Sequence, residues 1–155
     1  MEKKSIAELI ETANEAGLDG LDFLRTFTLE EIEQGYNGIG PQFLPAIVRE
    51  KISDRLSLFE PAAVVHDMRN DVADGSRAAF LFANREFLYN CLALVDHAYP
   101  NDCRKRDRAL TVAFVLYRFV NAEKFGWRAW LEARERYLSR QGHINQTNLS
   151  PKKGR

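Results

Sequence analysis

Residues 60–97 read EPAAVVHDMRNDVADGSRAAFLFANREFLYNCLALVDH and contain two helical patterns separated by one turn. Pro61 suits the first turn of a helix, where a missing backbone N–H costs nothing. After a glycine-containing turn, Ser76 is a candidate N-cap for a long helix that we expect to end near His97. Because the connection is short, the two helices are predicted to pack antiparallel. The side chains that face each other would then form the core between them.

The second of these helices carries a polar residue on its apolar side. Asn84 falls three or four positions from several members of the stripe, so its amide would face the core and need hydrogen-bond partners. The predicted stripe consists of Phe80, Leu81, Phe87, Leu88, Cys91, Leu92 and Val95.

The rest of the chain is also helical in pattern. Two capping boxes, at Ser5 and Thr28, open helices that are predicted to stop at Gly17 and Gly35. A glycine-rich loop follows the second of these helices. No segment shows the alternation of apolar and polar residues that is typical of a β-strand. Further helical patterns cover residues 45–58, 105–121 and 127–140.

These patterns predict an all-α fold, a single-domain bundle of about six or seven helices with a glycine-rich interhelical loop. Residues 105–121 are apolar on nearly every side, so we expect this helix to be central. The 155-residue length suits one domain. We place that domain at residues 1–141 and a mobile basic tail at 142–155. Without a secretory signal or a long apolar run, the sequence predicts a cytoplasmic protein that does not span a membrane.

Charge is distributed unevenly along the chain, although the formal net charge is zero. Residues 1–40 hold three basic and nine acidic side chains, whereas residues 101–155 hold thirteen basic and five acidic ones. We expect the acidic start to fold onto the basic end. The alternative is a basic face that binds an anionic partner, through the cluster Arg104, Lys105, Arg106 and Arg108. Zero net charge argues against a dedicated nucleic-acid binder.

Three features could form a hydrolytic site. His66 could take a proton from water while Asp67 holds a divalent cation that polarises an ester carbonyl. Gly38 and Gly40 allow turns that present backbone carbonyls, which calcium accepts as ligands. Asn84 could bond the far imidazole nitrogen and fix its tautomer. Each feature also has a structural interpretation: a half-buried histidine beside a surface aspartate, a plain interhelical turn, and a buried amide.

Other metal sites fit the sequence poorly. A metal-dependent phosphohydrolase of the HD class needs a histidine well before the His-Asp pair, and no histidine precedes His66. The six-residue steps between Cys91, His97 and Cys103 match no zinc pattern.

Three motifs follow one another along the chain: Tyr36-x-Gly38-x-Gly40, Ala62-Ala63-x-x-His66-Asp67 and Ala83-Asn84-x-x-Phe87. Their order resembles the phospholipase A2 superfamily, most closely the short domains of parvovirus capsid proteins. It also resembles small phage proteins with an Ala-Ala-x-x-His-Asp helix. The segment from Gly126 to Leu131 is similar to the C-terminal end of those proteins. The resemblance covers residues 36–131.

The resemblance implies that His66 is the catalytic base, that Asp67 binds calcium, and that Gly38 and Gly40 belong to the calcium loop. Asn84 stands where the family usually has an aspartate that orients the histidine.

Asn70 stands where the family has a tyrosine that braces the site. Because both of these positions are altered, the resemblance supports the fold more strongly than the activity.

Three functions follow as hypotheses. The preferred one is a phage- or prophage-type, non-catalytic protein-binding protein, an inhibitor or assembly factor that contacts a host or phage protein. The second is a weak calcium-dependent acyl-ester hydrolase that acts on phospholipid through His66 and Asp67, with anionic lipid as the alternative to a protein partner. The third is a nucleic-acid-associated protein that uses the basic cluster.

Overall fold

The computed structural model describes residues 4–36, 56–72 and 74–148, with the side chains of the last helix as far as Ser139. The chain is an all-α, single-domain bundle, as predicted. Seven α-helices occur in the described ranges: α1 (Ile6–Glu15), α2 (Leu21–Leu24), α3 (Leu29–Gly35), α4 (Glu60–Asp71), α5 (Arg77–Ala98), α6 (Cys103–Val120) and α7 (Arg128–Asn148). The predicted helix 45–58 lies almost entirely outside the described residues.

Local signals explain where several helices begin. Both capping boxes form: the hydroxyls of Ser5 and Thr28 accept from the backbone N–H three residues later, and the glutamates there reach back. Ser76 caps α5 by accepting from the Ala79 N–H at 3.1 Å. Gly17 follows α1 with φ +66°, a left-handed conformation that glycine adopts without strain.

The central helix of the bundle is α4, which contacts α1, α2, α3, α5 and α7. It is buried at every position from Pro61 to His66. The prediction that residues 105–121 form the central helix was wrong. Only Ala109 and Ala113 of α6 are buried, because this helix lies at the surface and packs mainly against α5.

α4 and α5 pack against each other, and because they are consecutive and joined by a short turn they form an antiparallel pair. The pair holds a partly buried, bidentate ion pair in which Arg69 donates to both carboxylate oxygens of Glu86, at 2.9 and 3.0 Å. The Arg69 guanidinium also lies 3.9 Å from the centre of the Phe23 ring. The predicted apolar stripe on α5 is correct at Phe80 and Phe87 but wrong at Leu81, which is exposed.

A second buried amide on α5 holds the loop between α1 and α2. The side chain of Asn90 accepts from the Asp19 N–H at 2.8 Å and donates to the Asp19 carbonyl at 3.0 Å. Both bonds satisfy backbone groups that the loop would otherwise leave unpaired.

A π-helical turn, Glu123–Trp127, connects α6 to α7. A Cβ at Gly126 would overlap the Val120 carbonyl oxygen, so only glycine fits there. Trp127 and Trp130 then pack edge-on against Phe80. The last helix continues to Asn148 instead of ending near residue 140, so the first residues assigned to a tail are helical.

The acidic start and the basic end of the chain meet in the core. α1, α3 and α7 all pack against α4, and α6 packs mainly against α5. Ala13 and Leu18 of the acidic start belong to the same buried cluster as Ala109 and Ala113 of α6. No ion pair within the described residues joins residues 4–36 to residues 101–139. In the described ranges the acidic start and the basic end therefore meet through buried apolar side chains, and no ion pair joins them. Among the helices described, none combines the length and apolar content needed to cross a bilayer.

Candidate functional site

His66 and Asn84 meet in the core between α4 and α5. His66 Nε2 lies 2.9 Å from Asn84 Oδ1, and the two side chains are 8% and 1% exposed. The Phe87 ring covers the imidazole at a centroid distance of 5.0 Å. The structure thus confirms that these side chains come together, while their catalytic roles stay predictions.

The surroundings of Asn84 fix how its amide is oriented. Its Nδ2 donates to the Val120 carbonyl and to Asn121 Oδ1, both at 3.3 Å. Because a carbonyl can only accept, the nitrogen must face Val120 and the oxygen must face His66. Asn84 Oδ1 therefore accepts from His66 Nε2–H, which leaves the ring lone pair on Nδ1.

The other ring nitrogen is held by a second amide. Asn70 Nδ2 lies 3.4 Å from His66 Nδ1, at the helical spacing of four residues, and can donate a long hydrogen bond to the lone pair. Nδ1 is the nitrogen that would take a proton from water, so Asn70 competes with such a water. At Nε2 a neutral amide also stabilises an imidazolium less than a carboxylate does.

Asp67 lies beside Nδ1 of His66. Its Oδ1 is 3.8 Å from that nitrogen, and its side chain is mostly buried. Tyr36, which follows α3, packs nearby. Burial raises the pKa of its hydroxyl, and the carboxylates of Glu60 and Asp67 raise that pKa further. The chain therefore approaches Asp67 just before the glycine-rich loop begins.

The calcium interpretation is only partly open to test. Gly38 and Gly40 lie outside the described residues. Asp67 supplies one hard carboxylate, the ligand type that calcium prefers. Within the described ranges, no three His, Cys, Asp or Glu side chains cluster as metal ligands. The residues present fit a calcium ion only if backbone carbonyls of the loop complete the shell.

The basic cluster lies in the first two turns of α6 and splits into paired and unpaired side chains. Lys105 bonds Asp102 at 3.3 Å, and Arg106 bonds Asp96 at 2.7 Å. Arg104 and Arg108 are exposed, and neither forms an ion pair with the residues described.

The same face of α6 carries residues that the sequence analysis missed. Phe114 and Val115 are 50% and 58% exposed, and Arg118 is exposed one turn further on. Arg104, Arg108, Val115 and Arg118 follow one another at steps of four, seven and three residues, which places them on one stripe. This spacing can be read from the sequence, but a helix that is expected to be central is not expected to have an exposed stripe. We call this stripe with Phe114 the basic-apolar face of α6.

The motifs that suggested a phospholipase A2 scaffold are therefore only partly assembled in the described structure. The His66–Asn84 contact exists, the loop is not described, and both nitrogens of the histidine meet amides. No family model matches this chain, and no match was found among the curated proteins or the solved structures.

Proposed function

We propose that this chain is a non-catalytic protein-binding protein, an inhibitor or assembly factor of phage or prophage type on a phospholipase A2-like helical scaffold, acting in the cytoplasm. The observation that supports the absence of catalysis is the environment of His66. Asn84 and Asn70 contact its two ring nitrogens, at 2.9 and 3.4 Å, so the imidazole is built into the core as a structural group.

The basic-apolar face of α6 supports the binding role. Exposed phenylalanine and valine side chains between unpaired arginines are typical of interaction surfaces, whose cores are enriched in aromatic residues and arginine. Arg104 and Arg108, one turn apart, repel each other in the free protein. A partner that brings carboxylates would relieve this repulsion while covering Phe114 and Val115. The proposed partner is therefore a protein with an acidic surface.

A photo-crosslinking residue at Val115 tests this proposal. It should capture a partner protein from host or phage extract, and capture should fall at least about tenfold in the double variant Arg108→Glu/Arg118→Glu. The matched control is Arg85→Glu/Arg136→Glu, which reverses two exposed arginines elsewhere and changes the net charge equally. Equal capture by all three proteins would exclude this face as the binding surface.

The second candidate function is the weak calcium-dependent acyl-ester hydrolase, which the His66–Asn84 contact favours. A bound calcium would polarise the ester carbonyl. Asp67 and the carbonyls of Gly38 and Gly40 would hold it, and His66 would have to exchange Asn70 for a water. Calorimetry with calcium on the parent and on Asp67→Asn separates the candidates. A calcium-binding heat that disappears in the variant would support the hydrolase, and no heat in the parent would exclude it.

A further inference from the structure

A small apolar groove opens between α1, α2 and α3, on the acidic part of the chain. Its volume is about 200 Å³, and its walls include Ile10, Leu24, Leu29 and Ile32. This is smaller than the roughly 300–1,000 Å³ of small-molecule sites, and it suits a single bulky side chain. Leu29 is 54% exposed at its edge, so the groove presents apolar surface to solvent.

The segment that forms the groove is strongly acidic, although the charged residue in the groove wall itself is Arg25. Residues 4–36 carry eight acidic and two basic side chains, and all ten are exposed. Arg25, a basic residue in the groove wall, is already paired with Asp22 at 2.6 Å. Glu33 follows Leu29 by one helical turn, which places its carboxylate on the same side of α3. The groove therefore favours an apolar side chain that arrives with positive charges around it.

The basic-apolar face of α6 has the complementary form. Phe114 projects from it with half of its surface exposed, and Arg118 follows one turn later. Arg104 and Arg108 extend the positive charge along the same stripe, against a single carboxylate, Asp107. The face thus offers an exposed aromatic side chain one turn from Arg118, with Arg104 and Arg108 on the neighbouring stripe and Asp107 two turns before it.

We infer that a second copy of this chain occupies the groove, with Phe114 of one copy inserted between α1, α2 and α3 of the next. This inference rests on the proposed function. It identifies the acidic protein that binds the basic-apolar face of α6 as a second copy of the chain. No ion pair within the described residues joins the two surfaces in one molecule, so each is available to another copy.

Such a contact joins the basic-apolar face of α6 on one copy to the groove on another copy. Every copy therefore carries one such face and one groove. Contacts of this kind produce rings or open chains instead of closed two-fold dimers. Opposite charges on the two surfaces also make the association sensitive to salt. The protein would therefore grow into larger assemblies at low ionic strength, in keeping with an assembly role.

Sedimentation equilibrium on the purified chain tests the inference, with the parent, Phe114→Glu and Leu29→Lys. The parent should exceed its monomer mass of 17.8 kDa at low salt and return to it at high salt. Each variant alone should associate at least about tenfold more weakly, because it has lost one of the two surfaces. Both changes are at exposed positions, and the far-UV helical signal checks that both variants fold.

The mixture of the two variants gives the decisive result. Phe114→Glu keeps its groove and Leu29→Lys keeps its Phe114, so an equal mixture should form dimers that cannot grow. A monomeric parent, a monomeric mixture, or a variant that associates like the parent would overturn the inference. If the parent is monomeric while Val115 crosslinking still depends on Arg108 and Arg118, self-association fails and the proposed function stands.

Discussion

Replacing Asn84 with alanine should reveal how much the core depends on the amide beside His66. The substitution removes the acceptor for His66 Nε2–H and the donor for the Val120 carbonyl and Asn121 Oδ1. Asn84 is 1% exposed, so water cannot readily replace these bonds. Each buried polar group left without a partner costs about 1–3 kcal/mol.

The expected total is a loss of about 3–4 kcal/mol in the free energy of unfolding, since the buried His66 Nε2–H loses its acceptor, two part-buried oxygens lose their donor and a small cavity is added. For a domain of this length, each kcal/mol corresponds to roughly 2–4 °C in melting temperature. The melting temperature of Asn84→Ala should therefore fall by about 10 °C.

A double-mutant cycle isolates the histidine contact. Urea unfolding of the parent, Asn84→Ala, His66→Ala and the double variant should give a coupling energy of about 1–2 kcal/mol. The control cycle pairs His66→Ala with Asn90→Ala, an equally buried amide on the same helix that bonds Asp19 instead. Its coupling should be near zero. Equal couplings in the two cycles would refute the reasoning that Asn84 specifically supports His66.

Two further predictions concern a glycine and a helix cap. Gly126→Ala should shift the NMR signals of the His66 ring, because the added Cβ displaces the Val120 carbonyl that accepts from Asn84. The His97 ring is the internal control, and its signals should not shift. Unchanged His66 signals would contradict this prediction. Glu31→Gln should destabilise the protein less at about pH 3 than at neutral pH in urea unfolding. Hydrogen bonds from the Thr28 backbone N–H and then from its hydroxyl lower the folded-state pKa of Glu31, so its contribution is present above the unfolded pKa and lost as the pH falls through the folded one. Equal losses at both pH values would count against it.

Helix boundaries with local chemical signals were predictable from the sequence. The capping boxes at Ser5 and Thr28 and the cap at Ser76 act within four residues, so no tertiary information is needed to recognise them. The contact between His66 and Asn84 was predictable for a related reason. It requires only that two consecutive helices pack antiparallel.

The position of α6 was not predictable from its composition. Its apolar content suggested a central helix, but Phe114 and Val115 face solvent, and the contact with α5 uses Ala109 and Ala113. Small side chains allow two helices to approach closely. They give only a weak hydrophobic signal in a sequence, so the buried side of this helix was hard to recognise.

The remaining partners of the site come from far along the chain. Val120 and Asn121 bond Asn84 across more than thirty residues, and the π-helical turn places them there through Gly126. No local pattern encodes this arrangement. By contrast, the contact of Asn70 with His66 follows from their spacing of four residues on one helix and could have been predicted.

The central proposal is that His66 serves as a structural histidine in a non-catalytic protein. Acyl-ester hydrolysis in the presence of calcium tests it most directly, with the parent, Asn84→Asp and His66→Ala, after circular dichroism has shown that each is folded. The account predicts the same background rate for all three. Activity in the parent that rises with Asn84→Asp and disappears with His66→Ala would contradict it, because the restored carboxylate would then be stabilising a catalytic imidazolium.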